Sequence, residues 1–101
     1  MATCYITEFG FMAKDRMGSA VLAGVLPAVA EQTVAVGAEA KSAAFQTGTR
    51  FIRVNTDAVC SIKGGPSATT TATTASMRLD AGATEYFSVQ PGDVLSVIAN
   101  T

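Results

Sequence analysis

The clearest alternation of apolar and polar positions runs from Arg50 to Thr56, Arg-Phe-Ile-Arg-Val-Asn-Thr. Successive side chains of a strand point to opposite faces. Ile52 and Val54 therefore share one face, and Phe51, Arg53 and Asn55 share the other. Asp57 marks a tight turn, and Ala58-Val59-Cys60-Ser61-Ile62-Lys63 follows, with Ala58, Cys60 and Ile62 on one face. The two runs read as a β-hairpin with one buried face. Gly64-Gly65-Pro66 ends it, because Pro66 cannot donate to a ladder.

Other strands follow from the same period. Residues 4–9 alternate cleanly. Gln32-Thr33-Val34-Ala35-Val36 and Lys41-Ser42-Ala43-Ala44-Phe45 read as a weaker strand pair around Gly37. Met77 and Leu79 share one face of a short strand, with Arg78 outward. Residues 84–89 hold Tyr86, Phe87 and Val89, and Pro91-Gly92-Asp93 supplies a turn. Residues 94–98 are apolar on both faces, which predicts a strand inside a sheet or covered. The segment from Gly10 to Gly24 is ambiguous between a loop with a short strand and a single helical turn. Ser-Ala-Thr-Thr-Thr-Ala-Thr-Thr at 67–74 lacks large apolar anchors and reads as an exposed loop. Turn residues at such short intervals predict an all-β fold, an antiparallel β-sandwich (jelly-roll-like) of short strands with an extended N-terminal segment. Residues 1–30 form an N-terminal strand and docking segment of the same unit, and residues 31–101 form the sandwich.

Composition bears on how such a domain would be used. With 101 residues the chain makes one domain. Charged residues are 15% of it and hydrophobic residues 49%, against roughly 25% charged in ordinary soluble proteins. Weakly polar surface on a small domain suits a subunit covered by neighbours. The net charge is −1 and no basic block is present, which argues against nucleic acid as a partner. The longest apolar stretch, from Ala20 to Ala30, is interrupted by Gly24 and Pro27 and falls short of a membrane span. Lys14 and Arg16 before it, and Ala28-Val29-Ala30 within it, imitate a signal peptide. Glu8, Asp15 and the Gly/Pro breaks weigh against that reading.

The chain has no histidine, so the commonest general base at neutral pH is missing. Lys14, Lys41 and Lys63 sit in no recognised catalytic arrangement. No two carboxylates are brought together by spacing, and no phosphate-cradling or calcium loop is present. Cys4 and Cys60 fit no ligand spacing; they read as buried thiols, with a disulfide left open until geometry decides. The expectation is a protein that is not an enzyme and takes no metal or cofactor. Tyr5, Phe9, Phe11, Met12 and Met17 give the N-terminal segment more large apolar side chains than a loop normally shows. They are candidate subunit contacts, and Arg53 and Arg78, outward on their strands, are candidate inter-subunit ion-pair donors.

Much of residues 32–100 resembles small virion proteins of tailed bacteriophages. The resemblance rests on Thr49-Arg50-Phe51-Ile52-Arg53-Val54, Ala58-Val59-Cys60-Ser61-Ile62, the Ala/Thr-rich loop, Met77-Arg78-Leu79, Thr84-Glu85-Tyr86-Phe87-Ser88-Val89 and Pro91-Gly92. Gln32-Thr33-Val34-Ala35-Val36 and Ser42-Ala43-Ala44-Phe45 add to it, while the first thirty residues match less well. It implies a β-sandwich located on the virion as a capsid decoration or cement protein. Its partners would be the major capsid protein and copies of itself, often as a trimer. A head–tail connector or tail subunit, and a cell-surface glycan-binding module, are the rival expectations.

Overall fold

A computed structural model describes residues 2–14, 16–24 and 26–100, with the backbone alone at 12, 13 and 20–23. The described chain is all-β. Its strands are β1 (Thr3–Phe9), β2 (Met12–Lys14), β3 (Ala20–Gly24), β4 (Ala30–Ala35) and β5 (Ala40–Lys41). They continue as β6 (Phe51–Thr56), β7 (Cys60–Gly65), β8 (Met77–Leu79), β9 (Thr84–Ser88) and β10 (Val94–Ala99). Two four-stranded sheets have the orders β4-β1-β6-β9 and β5-β10-β7-β8, and β2 and β3 form a separate two-stranded ribbon. Every pairing is antiparallel. With the ribbon set aside, the eight strands follow the order of a jelly roll. β1 fills the slot that the last strand of a jelly roll occupies.

Ile6, Ile52 and Val54 of the first sheet face Ile62, Leu95 and Val97 of the second, with Phe45 and Leu79 completing the core. β10 lies between β5 and β7, and residues 94–97 are all buried, as its two apolar faces predict.

Three connections differ from the sequence reading. β6 and β7 do not form a hairpin; they lie in opposite sheets. Both carry an apolar inner face, and a sandwich buries such faces against each other instead of side by side. The bend at 57–59 is fixed locally. The Thr56 hydroxyl donates to Ala58 O at 2.6 Å, and Thr3 N–H donates to Asp57 Oδ1 at 2.7 Å. The expected pair around Gly37 is likewise split, β4 pairing with β1 and β5 with β10. The ambiguous stretch from Gly10 to Gly24 is the β2–β3 ribbon.

The Ser/Thr-rich loop is exposed only in part. Thr70 and Ala72 are buried. The loop lies on the outer face of the second sheet, where Ala72 N–H donates to Ser96 Oγ at 2.8 Å and Asn100 Nδ2 donates to Thr74 O at 3.1 Å. Gly65 has φ +153° there, and a Cβ on it would stand 2.7 Å from Thr70 Oγ1.

Candidate interaction surface

The ribbon is rooted by aromatic packing. Phe9, at the end of β1, stacks on Phe51 at the start of β6, with ring centroids 5.2 Å apart. Gly24 lies directly against the Phe9 ring: a Cβ at that position would fall 2.3 Å from it. Phe9 is therefore buried, and its surface is spent inside the chain. Phe11, one step into the ribbon, is 67% exposed, Met17 is 88% exposed and Leu26 is 76% exposed. Val29, whose N–H donates to Glu8 O at 2.8 Å, is also exposed. Four of the six large apolar side chains that stand exposed among the described residues thus lie on the ribbon and its roots. The Met12 side chain lies outside the described residues.

The ribbon borders the outer face of the first sheet. Register places Glu31, Thr7, Arg53 and Tyr86 in one row across that face, and Thr33, Tyr5, Asn55 and Thr84 in the next. Tyr5 is exposed, and Arg53 is half-buried between Thr7 and Tyr86. Where ribbon and sheet meet, a cleft of about 360 Å³ is lined by Phe11, Arg50, Phe51 and Tyr86. Arg50 is already engaged, donating to Thr47 O at 2.9 Å and Thr49 O at 3.1 Å. Arg78 stands on the other sheet, exposed and paired with Asp80 at 2.7 Å. Tyr5 and Arg53 thus stand on the outer face of the first sheet, Phe11 and Met17 beside and within the turn of the ribbon, and Arg78 on the other sheet. Leu26 and Val29 are exposed apolar residues that the sequence reading did not single out as contacts, and Met77, read with Leu79 as one face of its strand opposite the outward Arg78, is exposed while Leu79 is buried. Leu26 and Val29 lie outside the strands, where no period marks them, and β8 is an edge strand whose end leaves Met77 uncovered.

The reactive side chains are placed otherwise. Glu8 is buried, sharing the inner face of β1 with Cys4 and Ile6. Its Oε1 accepts from Gln46 N–H at 3.0 Å and from the Thr49 hydroxyl at 2.7 Å, and its Oε2 accepts from Gln32 Nε2 at 3.0 Å. No described cation pairs with it. Gln32 also accepts from Ala43 N–H at 2.8 Å. This network ties the segment between β5 and β6 to the first sheet, and period-two counting from Ile6 was the signal that places Glu8 inside. Cys4 and Cys60 are both buried free thiols. Burial, with Cys60 and Asp57 nearby, pushes the Cys4 thiol up to about 12. Burial also raises Cys60, against a Thr56 hydrogen bond that lowers it. Protonated thiols of this kind are poor nucleophiles. Among the described residues, no three His, Cys, Asp or Glu side chains gather as a metal-ligand set. No helix among them is long and apolar enough to cross a membrane.

Comparison with protein-family models, curated proteins and solved structures finds no match to this chain.

Proposed function

We propose that the chain is a structural virion protein, a decoration or cement subunit that binds the assembled phage capsid and stabilises it. The observation that carries this reading is the concentration of exposed Phe11, Met17, Leu26 and Val29 on the turn of the ribbon and on the segments that join it to the first sheet. Burying a large apolar side chain contributes about 1.5–3 kcal/mol. A monomer gains none of that from leaving three of them two-thirds or more exposed. The sequence resemblance to small virion proteins supplies the partner, the major capsid protein. The mechanism is mass action: a ligand of the assembled shell alone stabilises that shell by its binding free energy.

The test is calorimetry of capsids from the phage that encodes the chain, with and without added protein. A cement subunit raises the disruption temperature of the shell in a saturable way. An unchanged temperature at saturating protein contradicts the role. A connector or tail subunit keeps the virion and changes the position; six or twelve copies per particle would mark it.

A second reading has its own observation. Tyr5 is exposed, and Tyr86 lines the cleft with Phe11 and Phe51, an arrangement on which a sugar ring can stack. A glycan array with no hits removes a cell-surface glycan-binding module.

A further inference from the structure

The cleft between ribbon and sheet holds an arginine whose charge the fold leaves unpaired. Arg50 precedes β6, and neighbours on both sides fix its backbone. Its N–H donates to Phe9 O at 2.9 Å, and its O accepts from Val89 N–H at 3.0 Å. The side chain is oriented through one nitrogen, Nη1, which donates to Thr47 O and Thr49 O. Nε and Nη2 have no partner among the described residues. The ion pairs among those residues, Lys41 with Glu39 and Arg78 with Asp80, leave Arg50 out. Nε and Nη2 share one edge of the guanidinium plane. That edge is a fork matched to the two oxygens of a carboxylate.

The rest of the cleft is aromatic and neutral. Phe51 is buried and held by its stack on Phe9. Tyr86 is half-buried, and Phe11 is exposed. Ser88, opposite Phe51 in the β6–β9 register, adds a hydroxyl. Arg50 is the one charged side chain in the described lining, which contains no carboxylate. Arg53, opposite Tyr86 across the ladder, places a second cation beside the aromatic ring. The acid of that row, Glu31, stands on β4 with β1 between it and Arg53. At about 360 Å³ the cleft lies near the low end of the roughly 300–1,000 Å³ range of small-molecule sites. That is room for a single ring.

We propose that this cleft binds one carboxylate-bearing pyranose, a uronate or a sialate. The carboxylate sits on the Nε–Nη2 edge of Arg50, and the apolar C–H face of the ring lies on Tyr86. The inference rests on the glycan-binding reading above and narrows it to acidic sugars. Aromatic rings hold the apolar face of a sugar whatever its charge. The fork supplies the discrimination, because a bond to an ionised acceptor is about twice as strong as a neutral one.

The test is titration of the full chain with four probes, followed by NMR. Two are acidic, a glucuronate-terminated and a sialate-terminated oligosaccharide, and two are their glucose- and galactose-terminated neutral counterparts. An acidic probe should bind with a Kd on the order of 0.1–1 mM and shift the Arg50 Nε–H resonance. Its neutral counterpart should bind about tenfold more weakly or worse. Arg50→Gln should erase that preference. Arg50→Lys keeps the charge and loses the fork, and should restore it by less than about threefold. Tyr86→Ala should weaken acidic and neutral probes alike. The acidic-to-neutral ratio is the deciding readout, since a change that merely loosened residues 47–49 would lower both affinities together. Equal binding of acidic and neutral probes by the parent overturns the inference and leaves the glycan reading standing. An acid preference that survives Arg50→Gln also overturns it. Binding of none of the four probes removes both.

Discussion

At the scale of single residues, the buried polar groups decide more than the apolar ones do. Glu8 brings a carboxylate into the interior with no counter-ion among the described residues, and three donors satisfy it. Removing such an acceptor leaves buried donors unpaired, at about 1–3 kcal/mol for each. Glu8→Ala should lower the unfolding free energy by about 2–4 kcal/mol, read from urea denaturation; an effect below about 0.5 kcal/mol would contradict the tether. The thiols give a second prediction. Both are raised above the ordinary 9.0, Cys4 to about 12. The folded chain keeps protons there that the unfolded chain loses. Stability from Cys4 is fully present below pH 9 and declines as pH rises toward 12, by about 1.4 kcal/mol per pH unit, and Cys60 adds a decline of the same sign. Denaturation at pH 8 and pH 10.5 measures it. A Cys4→Ala, Cys60→Ala double variant should show a shallower decline, and an identical profile would contradict the assignment.

At the scale of elements, the ribbon depends on Gly24. A methyl there would collide with the Phe9 ring, which is itself held by Phe51. Gly24→Ala should cost about 1–3 kcal/mol by overpacking, seen as a lower thermal midpoint; a variant as stable as the parent would show that Phe9 does not seat the ribbon. The strands themselves were legible where period-two alternation is strong, in β1, β6 and β7, and where apolar and aromatic residues run between turn signals, in β9 and β10. Their neighbours were not. Alternation tells which face is buried and is silent about which strand lies alongside. The β6–β7 and β4–β5 pairs were accordingly read as adjacent when a sandwich separates them. The ribbon was missed as a pair of strands because its Ala- and Gly-rich run, Ala20-Val21-Leu22-Ala23-Gly24, does not alternate. Thr70 and Ala72 were read as solvent-exposed because small side chains carry no apolar signal, and backbone hydrogen bonds hold their loop down. Of the candidate contacts, Phe11 and Met17 were legible as excess apolar residues in a polar setting. The burial of Phe9 rests on a long-range partner, Phe51, that no local pattern announces.

At the scale of the whole molecule, a jelly roll fixes no function by itself. What bears on function is the division of labour between a packed sandwich and a surface set apart from it. The sandwich buries its reactive groups, while the ribbon keeps Phe11, Met17 and Leu26 in solvent. Because these side chains are exposed, their replacement leaves the fold intact, and stability and binding can be separated. The most direct measurement is co-sedimentation of the chain with tailed-phage capsids, the partner proposed above, in parallel with a Phe11→Asp, Met17→Asp, Leu26→Asp variant of unchanged thermal midpoint. The parent should pellet with the capsids to saturation, and the variant should lose affinity by about 100-fold or more. A parent that stays in the supernatant, or a variant that pellets as well as the parent, would contradict the claim that this ribbon is the chain's working surface.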